Sequence, residues 1–236
     1  MNHKKLLPIT VFTLIFSIII NYFSPPIYAE EKKIIYLTFD DGPGGKVTTK
    51  ILDILKEENV PATFFVIGSQ IIGQEDLLNR INDEGHSIGL HSMSHDKAKL
   101  YSSNESFLKE MFEVKSIIKD ATDVDTNILR FPFGVNNNSY KLQESLVNLL
   151  HENNLKIYDW NVDSTDGANS YATPSLYIKN ATSDKSPIIL LMHCGYINKN
   201  SVIALPEIIK FYKSQGYEFK KITDDTPELF HYINKG

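Results

Sequence analysis

From Lys33 to Ile222 the chain alternates between short β-branched or aromatic runs and longer segments of helical periodicity. This alternation constrains the fold more than any other feature. Strands separated by helices pair in parallel, and a parallel sheet needs helices over its faces. The runs Lys33–Phe39, Thr63–Ile67, Ser87–Leu90, Ile128–Phe131, Lys156–Trp160, Ile188–Met192 and Glu218–Ile222 predict seven strands. Helices are expected over Thr49–Glu58, Asp76–Glu84, Asn104–Asp120, Tyr140–Asn153, Pro174–Ala181 and Ser201–Gln215. The expectation is an α/β fold, either an open doubly wound sheet or a barrel. No G-x-G-x-x-G follows the first strand, which argues against a dinucleotide site.

Residues 1–29 differ from the rest. Lys4 and Lys5 precede a nearly pure apolar run, Leu6–Ile20, and charge returns only at Glu30. This is the pattern of a secretory signal peptide, with cleavage expected after Ala29. An uncleaved membrane anchor is the alternative, although the run is short for a span. Residues 30–236 then form one exported catalytic domain, secreted or held at the cell surface. A formal charge of -5 over 236 residues argues against nucleic-acid binding. The single cysteine, Cys194, excludes an intrachain disulfide and a cysteine zinc finger. It reads as a buried structural thiol, and His86 as structural support.

The chemistry-bearing residues fall at one kind of place. Asp40 and Asp41 end the first strand, His91 and His95 follow the third, and Arg130 ends the fourth. Asp163 and Asp166 follow the fifth, and His193 ends the sixth. These are C-terminal strand ends, where parallel α/β folds build their sites. His91 and His95, at i and i+4, would share one side of a helical turn and grip one metal. With Asp41 they make a two-histidine, one-carboxylate trio that leaves positions open for water and substrate. Asp40 would take a proton from the attacking water, held by Arg130. His193 would donate a proton to the leaving nitrogen, with Asp163 as its carboxylate partner. The reading is metal-assisted hydrolysis of an amide or ester.

At these residues the chain resembles the polysaccharide deacetylases, the NodB-homology domain of carbohydrate esterase family four. The resemblance runs from about Lys33 to Ile222. Thr38-Phe39-Asp40-Asp41-Gly42-Pro43 is similar to the first family motif, His91-Ser92-Met93-Ser94-His95 to the second, Arg130-Phe131-Pro132-Phe133 to the third, and Leu191-Met192-His193 to the fifth. The resemblance implies a distorted (β/α) barrel of about seven strands. It implies Asp40 as base, and Asp41, His91 and His95 as ligands of zinc, with cobalt or manganese as alternatives. It also implies a Phe133 backbone N–H at the oxyanion, a Leu191 wall for the acetyl methyl, and His193 as acid tuned by Asp163. The fourth motif departs. The family often reads Asp-x-x-Asp-Trp, and here Gly167 follows Asp166. The missing indole would have closed one wall of the acetyl pocket, and Trp160 reads as core.

The substrate so implied is an N-acetylated sugar polymer, with N-acetylglucosamine of peptidoglycan foremost. Chitin-type oligosaccharides, N-acetylmuramic acid and exopolysaccharides stay open, as does a catalytically weak glycan-binding protein. Tyr101, Phe133, Tyr171 and Tyr196 are candidates to stack on sugars. A monomer is expected, touching membrane only through an uncleaved leader.

Overall fold

The first predicted strand becomes β1, Ile34–Gly42, and it lies in the interior of the sheet. The computed structural model describes residues 32–138 and 140–231. The expected leader lies outside the described residues, and among these no helix is long and apolar enough to cross a membrane. Seven further strands follow: β2 (Thr63–Val66), β3 (Ser87–Leu90), β4 (Ile128–Leu129), β5 (Lys156–Ile157), β6 (Val162–Asp163), β7 (Ile188–His193) and β8 (Glu218–Lys220). Pairing is parallel throughout, in the order β5-β4-β3-β2-β1-β7-β6. β8 pairs with Ile34–Tyr36, and β2 pairs with β1 from Thr38 on. The seven-strand path curls into a half-barrel, open between β5 and β6, as in the solved structures of similar fold described below.

The helices are α1 (Lys46–Glu58), α2 (Gly68–Ile71), α3 (Glu75–Asp83), α4 (Lys97–Leu100), α5 (Asn104–Thr122), α6 (Glu144–Glu152), α7 (Pro174–Ala181) and α8 (Lys199–Ser214). The structure corrects the expected elements at several places: two short helices, α2 and α4, lie outside those expected, α1 begins at Lys46 and β8 ends at Lys220. β6 pairs with β7 over two residues only, too short to leave an apolar run in the sequence. β4 and β5 are each two residues long: the ladder makes one further bond on each, Arg130 N–H to the Leu90 carbonyl and Tyr158 N–H to the Leu129 carbonyl, and then ends, and Trp160 lines the cleft beyond it. α6 begins at Glu144 and not at Tyr140, whose ring stacks on Tyr101 at 4.7 Å. The segment before α6 forms a bridge between Asn136 and Lys141 instead.

Side-chain alternation sorts each strand between two cores. Ile35, Leu37 and Phe39 of β1, with Ile188, Leu190 and Met192 of β7, join the large cluster under the helices. Tyr36 and Ile189 face a second cluster with Phe65, Ile128, Tyr158 and Ile222, on the concave side of the curl. Two steps further along the same face stand Asp40 and His193, which are register partners. On the other flank Leu90 pairs with Leu129, so His91 and Arg130 leave the ladder at one level. Parallel register thus carries the polar strand ends to one rim.

Gly89 shows how tight the inner layer is. A Cβ there would stand 2.5 Å from a Phe65 ring carbon and 3.1 Å from Ile128. Both are buried. We expect Gly89→Ala to destabilise the protein by about 1–3 kcal/mol through overpacking, read as a lower denaturant midpoint at unchanged slope. An unchanged midpoint would show that the inner layer yields.

Candidate active site

Asp40 leaves β1 pointing into the concave face, so Asp41 should point the other way. It does not, because a bulge falls between Asp40 and Gly42 and Asp41 takes a left-handed backbone, φ 66°. Both carboxylates therefore serve one site. Ser92 (φ 70°), His95 (φ 55°), Phe133 (φ 67°) and Thr165 (φ 65°) share this uncommon conformation. Non-glycine residues held there mark places where surrounding bonds fix a strained backbone for function. The His91–His95 segment is accordingly a loop, not the helical turn that its spacing suggests.

The structure brings Asp41, His91 and His95 together, with one ligand atom from each within 4.8 Å of the others. His91 Nε2 lies 3.5 Å and His95 Nε2 3.4 Å from Asp41 Oδ1. These separations exceed an ordinary hydrogen bond. Ligands 2.0–2.1 Å from one tetrahedral zinc stand roughly 3.3–3.4 Å apart. Asp41 Oδ1 is buried and takes no hydrogen bond. His91 Nδ1 lies 3.0 Å from the Arg130 carbonyl, which only accepts, so Nδ1 carries a proton and Nε2 is the nitrogen turned to Asp41. Burial, reinforced by His91, lowers the His95 pKa to about 4, leaving it neutral near pH 7. Burial opposes ionisation of Asp41, yet His91, His193 and His95, when they carry charge, outweigh it and hold this carboxyl far below its usual range. An orphaned carboxylate oxygen facing two imidazole nitrogens is a donor set that fits a divalent cation.

Asp40 adjoins this trio. Its Oδ1 accepts from Arg130 Nη1 at 2.9 Å, and its Oδ2 lies 3.8 Å from His91 Nε2. Arg130 is fully buried. It also donates to Thr38 Oγ1 (2.7 Å), the Tyr158 carbonyl (2.9 Å) and the Asp159 carbonyl (3.1 Å). Its guanidinium stacks 4.3 Å from the Phe65 ring centre.

His193 stands across the cleft, and its partner differs from the expected one. Nδ1 bonds Asp166 Oδ1 at 2.7 Å, and the His193 backbone N–H donates to Asp166 Oδ2 at 2.9 Å. Ser201 Oγ donates to the same oxygen at 2.5 Å. Asp163, expected in that place, accepts instead from the Thr165 N–H at 2.6 Å and lines the cleft. Burial works against a charged His193, but the bond and charge of Asp166, with Asp40 and Asp41 behind it, raise its pKa to about 9.

The cleft encloses about 500 Å³. Phe133 and Leu191 line it as expected, with the Phe133 ring 4.5 Å from that of His95. Trp160 also lines it, half-buried, and so is not simply core. Tyr101 is no free sugar platform, because its hydroxyl donates to the Pro132 carbonyl at 2.5 Å and its ring packs on Tyr140. Tyr171 and Tyr196 are exposed outside the lining. Sequence reasoning also passed over Thr38, although its place two residues before Asp40 put it on the same face.

The profile of the family described as polysaccharide deacetylase matches residues 28–149. A peptidoglycan-N-acetylglucosamine deacetylase of Bacillus cereus is 37% identical over 216 residues, covering 87% of this chain and 76% of its own length. A peptidoglycan-N-acetylmuramic acid deacetylase of Bacillus subtilis is 34% identical over 198 residues, 82% of this chain and 72% of that one. The crystal structure of the catalytic domain of a peptidoglycan N-acetylglucosamine deacetylase from Eubacterium rectale aligns at a TM-score of 0.79 and 33% identity, over 91% of this chain and all of that one.

The His193–Asp166 pair makes a titration prediction. The folded pKa of His193 lies above its ordinary 6.5, so the pair's stabilisation is complete below 6.5 and is lost as pH rises through about 9. In metal-free protein the His193 ring signals should titrate near 9 by NMR. With Asp166→Asn the midpoint should fall below 6.5, because burial then dominates. A midpoint unmoved by Asp166→Asn would show that other charges hold the proton.

Proposed function

The chain belongs to the polysaccharide deacetylase family, and from that premise we propose that it hydrolyses N-acetyl groups of an extracellular amino-sugar polymer, with N-acetylglucosamine of peptidoglycan as the substrate. The observation that carries this reading is the juxtaposition of an Asp-His-His trio, a buried carboxylate beside it and an imidazole bonded to Asp166 across the same cleft.

Asp41, His91 and His95 would hold the divalent cation, zinc foremost and cobalt or manganese as alternatives. When bound, such a cation acidifies water and polarises the acetyl carbonyl. Asp40 receives the proton of the attacking water through the oxygen that Arg130 leaves free. The water oxygen bonds to the acetyl carbon and the carbon–nitrogen bond breaks. His193 gives its proton to the departing nitrogen, so the products are acetate and a free amine on the sugar. Asp166 keeps His193 charged and orients it, the part first assigned to Asp163. The Phe133 backbone N–H is assigned to the oxyanion and Leu191 to the acetyl methyl, on the strength of their places in the cleft lining. A cell-wall substrate goes with export of the catalytic unit, the part expected of residues 1–29.

The test is acetate release from peptidoglycan and from N-acetylglucosamine oligomers. We expect activity that a chelator abolishes and added zinc or cobalt restores. Asp40→Asn and His193→Ala should each lower kcat by about 10²–10⁴, with the cation retained. Analysis of the product sugar separates glucosamine from muramic acid. A metal-loaded protein that releases no acetate from any acetylated glycan would leave a binding role in place of catalysis.

A further inference from the structure

Three acidic residues are buried among the described residues. Asp40 and Asp166 belong to the site. The third, Glu110, lies on α5 between the core residues Phe107, Met111 and Val114, and is 7% exposed. A buried carboxylate costs stability unless its oxygens are bonded. No lysine or arginine pairs with Glu110 among the described residues. Both its oxygens are directed to one residue, Ser94. The Ser94 N–H donates to Oε2 at 2.7 Å, and the Ser94 hydroxyl lies 2.8 Å from Oε2 and 3.0 Å from Oε1.

Ser94 stands between His91 and His95. That loop is strained at Ser92 and His95, each a non-glycine residue at positive φ. Its first half is tied to α2, where Gly68 N–H and Ser69 N–H donate to the Ser92 and Met93 carbonyls, both at 2.9 Å. Its second half has two local ties, His95 N–H to Ser92 Oγ at 2.9 Å and Asp96 N–H to Ser94 Oγ at 3.2 Å. The bonds that anchor this half to the helix layer are those of Glu110. We infer that Glu110 is a positioning residue: through Ser94 it holds His95 Nε2 against Asp41 and thereby sets how tightly the trio binds a divalent cation. The inference rests on the metal-binding reading of that trio.

The probe is zinc itself, with its dissociation constant measured by competition with a chromophoric chelator. Circular dichroism and unfolding of the metal-free protein run alongside. Glu110→Ala should weaken zinc binding by about 10–100-fold, the range for outer partners of metal ligands. Glu110→Gln keeps an acceptor and a group for the Ser94 hydroxyl, and should recover most of the affinity. Ser94→Ala should weaken binding less than Glu110→Ala, and the double variant should lose little more than Glu110→Ala alone. Glu113→Ala, an exposed acid one turn along α5, should bind zinc as the parent does, which separates positioning from general charge loss. A folded Glu110→Ala protein with parental zinc affinity overturns the inference. If that variant fails to fold, parental affinity in Ser94→Ala overturns it. A parent that binds no divalent cation overturns it together with its premise. A parent that binds zinc but releases no acetate defeats the proposed function alone.

Discussion

The buried bond between Arg130 and Asp40 is the constraint on which the rest of the site depends. A guanidinium with no exposed surface is tolerable only because every face is answered: Asp40, Thr38 and two carbonyls around its edge, Phe65 beneath it. Removing one partner of such a pair leaves an uncompensated buried charge, typically at a cost of about 3–5 kcal/mol. The carbonyls of Tyr158 and Asp159 lie beyond β5, on the chain that leads across the open side of the curl to β6. Arg130 therefore replaces the missing ladder there. The group that orients Asp40 also ties the β5–β6 connection to β1, so the shape of the barrel and the geometry of Asp40 are one interaction.

Around this fixed point the site is assembled from backbone that resists its own conformation. Asp41, Ser92, His95, Phe133 and Thr165 all hold positive φ without being glycine, and each is bonded or packed into place from another element. Asp41 turns back because the ladder with β2 slips by one residue. His95 is held by Ser92 Oγ and by the Phe133 ring. A donor set with an unbonded carboxylate oxygen at its centre would relax in a compliant loop. Here the surrounding bonds oppose that relaxation, the preorganisation that the proposed cation site requires.

How much of this was legible in the sequence follows from range. Periodicity is local, so β1, β7 and the long helices could be read from their own residues, and parallel pairing then placed Asp40, His91, Arg130 and His193 at one rim. Strands of two residues, such as β4, β5 and β6, carry no period of their own and exist only through their neighbours. The exchange of Asp163 for Asp166 has the same origin. Asp163 ends β6 and Asp166 stands three residues beyond it, and between them Thr165 at positive φ turns Asp166 inward to the His193 backbone and Ser201. Glu110 was invisible for a related reason: one acid on an amphipathic helix reads as surface until a loop from another strand is seen to close on it.

Gly167 shows why a missing side chain is not simply a missing wall. The expectation was an otherwise unchanged pocket with one side open. In the structure a Cβ at 167 would stand 2.3 Å from His193 Cε1 and 2.6 Å from Nε2. That ring cannot retreat cheaply, since Asp166 grips both its Nδ1 and its backbone N–H. The imidazole lies on the Gly167 backbone, and the glycine is a condition of where His193 stands. The apolar face of the cleft comes instead from Trp160, packed so closely on Gly134 (φ 80°) that a Cβ there would stand 2.9 Å from the indole. Two glycines thus exchange roles with one tryptophan: one admits the imidazole, the other admits the indole. The cleft is closed on this side from the β5–β6 connection, the same segment that Arg130 ties to the barrel.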